Sequence, residues 1–138
     1  MAESLRPALL RIGRELRRET RAVGVSPEQV SLLVAIKYGP GIGVGELAAQ
    51  ERVSAPAMSN HVDRLERDGL VTRTPSAADK RRVGLTLTPE GQRMLRRVRS
   101  RRTAWLVSRL GTLDPSELAA IEAAIEPLSL LLAEEDRA

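Results

Sequence analysis

Ser54-Ala-Pro-Ala-Met-Ser-Asn-His-Val-Asp-Arg-Leu-Glu-Arg-Asp-Gly69 is the stretch whose reading decides the fold. Ser54 can cap a helix by accepting from an amide of the first turn, and Pro56 falls where a missing N–H costs little. Gly69 supplies the left-handed residue that stops the helix. At 100° per residue Met58, Val62 and Leu65 share one stripe, the predicted buried face. Pro56, Ala57, Asn60, Arg64 and Arg67 point the other way, with Ser59 and His61 on the flanks. A solvated face is usually rich in Glu and Lys. This one opens with small residues that permit close approach to a groove. Asn, Ser and His, which can read base edges, follow, and Arg suits a guanine or a phosphate.

The neighbouring segments narrow the reading. Gly45–Gln50 predicts a short helix with Leu47 and Ala48 inward, and Arg52-Val53 a turn into Ser54. That is the pattern of a helix-turn-helix DNA reader, although other helical hairpins can imitate it. After Gly69, Leu70–Arg73 reads as a short strand, and the alternation of Val83, Leu85 and Leu87 as a second, half-buried one. The loop Thr74–Arg82 between them carries Lys80, Arg81 and Arg82 in a row. Three cations on a ribbon beside a reading helix are placed to reach phosphates or a minor groove, whereas most charged hairpin tips are merely solvated. Asp79 is expected to pair with Arg81 and hold the loop's shape.

The chain of 138 residues is 42% apolar, enough for one domain with a core. Its only aromatic residues are Tyr38 and Trp105, so the core must be aliphatic, which favours packed helices. There is no cysteine, which excludes disulfides and thiol chemistry. Neither an 18-residue apolar run nor a signal-peptide core is present, so a cytoplasmic protein with no membrane partner is expected. The net charge of +4 is unevenly spread. Residues 52–102 carry 13 Lys/Arg against 5 Asp/Glu, and residues 103–138 carry 2 against 7. Twenty of the 22 cations are Arg, which codon bias can favour, but bias does not explain their position. Basic charge gathers around the proposed reader, as a polyanion requires.

The outer segments read as helices. Leu5, Leu9, Ile12, Leu16 and Val23 form a narrow stripe on a helix over 4–22, among six arginines. Ser26-Pro-Glu-Gln29 opens a helix over 27–38, expected to bury Val30, Leu33, Val34 and the stem of Lys37. Ile42 can form a single bridge of sheet. Thr88-Pro-Glu-Gly91 opens a long helix to about Leu110, with Arg99 and Arg102 interrupting its apolar side. These two can face a polar cleft or carboxylates, or snorkel at the surface. Asp114-Pro-Ser-Glu117 opens the last helix, whose Leu118, Ile121, Ile125, Leu128 and Leu132 make a coiled-coil-like seam that Pro127 should kink.

Val44-Gly-Glu-Leu-Ala48, Ser54 with Val62-Asp-Arg-Leu-Glu66 and Gly69-Leu-Val71, Asp79-Lys-Arg81 and Leu85-Thr-Leu-Thr-Pro-Glu-Gly91 together resemble the MarR family of bacterial winged-helix regulators over nearly the whole length. The resemblance implies a mainly α fold with a small β-wing: a winged helix-turn-helix over 27–88 and a connecting helix over 89–111. Segments 1–24 and 112–138 would interdigitate in a homodimer. It places the recognition helix at Ser54–Asp68 and the wing at Arg73–Val83, with Asp79 and Arg81 as the wing's paired residues and the Arg entering the minor groove. The expected contacts with double-stranded DNA are Ser54, Pro56, Ala57, Ser59, Asn60, His61 and Arg64 on the helix. Those in the wing are Arg73, Lys80, Arg81 and Arg82, with Asp79 stabilising it. His61 can read a base or meet a phosphate. The chain departs from the family in a looser glycine-rich stretch, Pro40–Gly45, and in having few rings to build an aromatic effector pocket.

The inventory argues against catalysis: one His, no Cys and no phosphate-cradling loop. A lone His beside Asn is no metal cluster, so neither metal nor cofactor is expected. The resulting expectation is a sequence-specific regulator, acting as a repressor on a pseudo-palindromic operator and released by a small-molecule effector. A small anion held by Arg99, Arg102 or the first-helix arginines is one form such an effector could take. The alternatives are a winged helix that binds protein or RNA, or an architectural DNA binder without an effector.

Overall fold

In the computed structural model, which describes residues 1–75 and 81–133, the cap signals of the sequence mark where helices begin. Ser26 Oγ accepts from the Gln29 amide at 3.1 Å, and the Gln29 side chain accepts from the Ser26 amide at 2.9 Å. This closed capping box starts α2 (Pro27–Tyr38). It follows α1 (Ala2–Ala22), which begins two residues earlier than expected and carries Pro7 inside its second turn, where the ring removes one i→i−4 backbone bond. Then come α3 (Val44–Gln50), α4 (Ala55–Arg67), β1 (Val71–Pro75), β2 (Val83–Leu87), α5 (Pro89–Leu110) and α6 (Pro115–Leu130). The fold is mainly helical with one antiparallel ribbon, as expected. β1 pairs with β2 in the register Val71 to Leu87 and Pro75 to Val83. The first strand thus lies slightly later than the sequence suggests. The Ile42 bridge forms, to Leu85.

Contacts divide the chain into two compact units, Met1–Arg102 and Thr103–Ala138. The first holds the core. Leu33, Ile36, Leu47, Met58, Val62, Leu65 and Leu85 are fully buried, with no aromatic ring among the buried residues. Each such side chain contributes roughly 1.5–3 kcal/mol relative to exposure. Two expectations for α2 and β2 are corrected. Leu32 and Ile36 are buried in α2, while Val34 is 39% exposed and Lys37 lies outside the core. Residues 30–36 of α2 are apolar except Ser31, so periodicity alone could not select its inward face. Val83 is 51% exposed, and Gly84 beside it is buried against Gly41. A Cβ on Gly84 would meet the Gly41 carbonyl oxygen at 2.6 Å, so only glycine lets the α2–α3 loop close on the ribbon.

One polar link in the first unit was not foreseen. Thr20 is fully buried; its hydroxyl donates to the Leu16 carbonyl at 3.0 Å and accepts from Arg102 Nε at 2.9 Å. Arg101 Nε donates to Glu19 Oε2 at 2.8 Å beside it. Arg102 therefore ties α5 to α1, whereas Arg99 is exposed.

In the second unit Asp114 caps α6, accepting from the Glu117 amide at 2.8 Å. That bond, with help from the Ser116 hydroxyl, lowers the Asp114 pKa below the usual carboxylate value. The cap's contribution is present above the ordinary carboxylate range and is lost as pH falls through the lowered value. Pro127 lies in the last turns and the helix stops at Leu130, so Leu132 falls in the turn beyond rather than on the helical seam.

Candidate nucleic-acid interface

Both ends of α4 are fixed by the same backbone device. At the end of α3, Val53 N–H donates to the Ala48 carbonyl and Arg52 N–H to that of Ala49; after α4, Leu70 N–H donates to Leu65 and Gly69 N–H to Glu66. These are Schellman closures, which need a left-handed residue after the cap. Gly69 takes that conformation at φ 75° without strain; Arg52 takes it at φ 56°, where a side chain costs on the order of 1–2 kcal/mol. Val53 then packs against the core, and Ser54 Oγ accepts from the Ala57 amide at 3.3 Å to begin α4.

From this anchorage α4 presents two faces, as predicted. Met58, Val62 and Leu65 are fully buried. Pro56, Asn60, His61 and Arg64 are exposed, with Ala57 and Ser59 half-buried at the margins. Asn60, His61, Arg64 and Arg67 border a shallow groove of about 270 Å³ together with Asp63. Of the expected α4 residues, the structure thus brings Asn60, His61 and Arg64 together on one surface. Arg52, exposed and two residues before Ser54, adjoins them. It was not among the expected contacts, although its place in the turn before Ser54 was visible in the sequence.

The ribbon is only partly described. Arg81 and Arg82 are exposed at the entry to β2, whereas Asp79 and Lys80, with the expected pairing of Asp79 to Arg81, lie outside the described residues. Arg73, expected among the wing contacts, is engaged with α4. Its Nη2 donates to Asp63 Oδ1 at 2.7 Å, and Nη1 lies 3.8 Å from Glu66 Oε1. This pair is half-exposed and adds little stability, but it offsets the two carboxylates of α4 and ties β1 to it. Among the described residues no group of three or more His, Asp or Glu could hold a metal ion.

Helix, turn, helix and basic ribbon in this arrangement can lay α4 in a major groove and place cations over the flanking backbone. The comparisons agree. The MarR family model matches residues 25–83. An HTH-type transcriptional regulator of Mycobacterium bovis is 33% identical over 98% of this chain and 94% of its own length. The HTH-type transcriptional repressor MdtR of Bacillus subtilis is 30% identical over 83% of this chain and 74% of its own. A crystal structure described as a transcriptional regulator of Pseudomonas aeruginosa superposes with a TM-score of 0.79 at 36% identity, covering 96% of this chain and 92% of that one.

Proposed function

The chain belongs to the MarR family of DNA-binding transcriptional regulators, and from that premise we propose that it is a repressor reading a pseudo-palindromic operator as a homodimer. The observation that carries the dimer is α6: no residue of this 16-residue helix is buried. Leu118, Ile121, Ile125 and Leu128 are each more than a third exposed along one seam, and Leu9, Leu10 and Ile12 of α1 are exposed as well. Apolar rows of that extent call for a partner surface, and a second copy supplies the matching rows. A dimer also gives two reading helices for two half-sites about one helical turn apart. Repression rests on the likeness to MdtR, whose name is that of a repressor. In this reading α1 and α6 are the dimerisation helices, 27–88 the reading domain and α5 its connection.

Within each half-site Asn60, Ser59 and His61 face base edges, Ser54 and Arg52 meet the backbone at the start of α4, and Arg81 and Arg82 meet phosphate or minor groove from the ribbon. Asn60→Ala is expected to weaken operator binding by roughly 1–3 kcal/mol while leaving scrambled duplex unaffected. Equal retention of wild type and variant on the operator in a quantitative gel-shift would remove Asn60 from base reading. Arg81→Ala with Arg82→Ala is expected to weaken operator and scrambled duplex alike. The slope of log K against log salt should fall by about 2, for two lost phosphate contacts. An unchanged slope in a fluorescence-anisotropy titration would place both arginines off the DNA. A selection from genomic fragments identifies the operator, and its palindromy tests the dimer directly.

A further inference from the structure

Outside the reading face, the first unit carries a second concentration of positive charge. The end of α1 and the outer side of α5 border an open cleft of about 820 Å³, lined by Arg93, Arg96, Arg97 and Arg101 with Ser100 between them and Val23 at its edge. Two of these arginines are engaged. Arg93 holds Glu90 on its own helix at 2.7 Å, and Arg101 holds Glu19 at 2.8 Å. Among the described residues Arg96 and Arg97 have no carboxylate within ion-pair distance, and both are exposed. The contrast with α1 matters here. There Glu15 and Glu19 lie among the arginines, and Arg18 lies 3.4 Å from Glu15. On α5 the run from Arg93 to Arg102 contains no acid.

Like charges three and four residues apart on one helix repel, and an anion seated among them relieves that repulsion. We propose that this cleft is a binding site for a multivalent phosphate-type oxyanion, held by Arg96 and Arg97 with Arg93, Arg101 and the Ser100 hydroxyl in support. Guanidinium forks match phosphate bidentately and keep their charge, and several forks on one surface favour an anion with more than one negative charge over a single carboxylate. The apolar edge at Val23 leaves room for a body larger than the anionic group. The phosphate can come from a free small molecule or from the phosphodiester backbone of a bound duplex. The chemistry is shared, and neither α4 nor the ribbon contributes a residue to the cleft.

The test uses the full-length protein with inorganic tripolyphosphate as probe, titrated calorimetrically without DNA, and operator binding measured in parallel across a salt series. Three proteins are compared: wild type, Arg96→Gln with Arg97→Gln, and Arg81→Ala with Arg82→Ala as the ribbon control. The expected result is a loss of roughly tenfold or more in tripolyphosphate affinity for the α5 variant and none for the ribbon control, since each lost charge-assisted contact is worth about that. Operator affinity unchanged in the α5 variant then assigns the site to a free anion. Operator affinity lowered on all sequences, with a salt slope smaller by about 2 and tripolyphosphate acting as competitor, assigns it to the DNA backbone. Equal tripolyphosphate affinity and equal operator binding in wild type and α5 variant overturn the proposal, as does a loss confined to the ribbon control. Because the anion titration needs no DNA, it can fail without touching the operator reading, and the reverse holds too.

Discussion

Replacing Ile121 and Ile125 together by Asp is expected to yield a folded single subunit whose operator affinity is lower by about a thousandfold or more. The two residues are 44% and 59% exposed on α6, and none of the first unit's core depends on them. In the proposed dimer they lie in the apolar seam. Each isoleucine that becomes fully buried there contributes roughly 1.5–3 kcal/mol. A carboxylate in its place would have to be desolvated without a partner, which costs several kcal/mol more and is doubled by symmetry. Separation of the subunits then removes the linkage between half-sites. A lone reading helix falls back toward non-specific affinity, which is typically 10³–10⁷ times weaker than specific binding. Analytical ultracentrifugation checks the mass, and circular dichroism with a thermal melt checks that the first unit remains folded. A variant that keeps the mass of two subunits would sink the seam assignment. One that is a single subunit yet binds the operator undiminished would sink dimeric reading.

How far the fold could be read from sequence depends on the range of the interaction that carries each feature. Helix starts were legible because their signals are local. Ser26, Ser54, Thr88 and Asp114 all accept from an amide three residues on, and the structure has each of those bonds. The two faces of α4 were legible because its polar and apolar residues segregate at helical period, and the buried stripe of Met58, Val62 and Leu65 followed from that. The inward face of α2 was not, because its apolar residues run nearly all round. Features made by distant partners left no trace in local pattern. Thr20 and Arg102 are 82 residues apart, and the need for glycine at position 84 arises from the backbone at Gly41. The engagement of Arg73 with Asp63 is intermediate. An arginine within the strand that follows a helix with two acids was a visible hint, but the crossing of strand and helix decides it.

The largest expected loss of stability comes from such a distant contact. Gly91→Ala should lower the melting temperature by about 10 °C, although alanine is the better helix former by roughly 1 kcal/mol. Gly91 lies in the first turn of α5 and is buried against the segment leaving α4. A Cβ there would fall inside the contact distance of the Leu70 carbonyl oxygen. That oxygen cannot turn aside freely, because it accepts from the Thr88 amide at 3.1 Å. The Thr88 hydroxyl meanwhile donates to the Gly69 carbonyl at 2.6 Å and accepts from the Gly91 amide at 3.0 Å. Thr88 and Gly91 thus clamp the segment leaving α4 to the start of α5, and a methyl group can enter only by displacing backbone on one side. Overpacking costs typically 1–3 kcal/mol even where side chains can yield, so about 3 kcal/mol is the expected gross cost where they cannot. Gly45→Ala is the matched control. It also lies in a helix, but no atom stands within 4 Å of the added carbon, so its melting temperature should stay the same or rise. If Gly91→Ala melted with wild type in differential scanning calorimetry, the close approach of α5 to Leu70 would not be what sets the geometry of the reading head. If it melted early but bound operator normally below its transition, the clamp would serve stability alone.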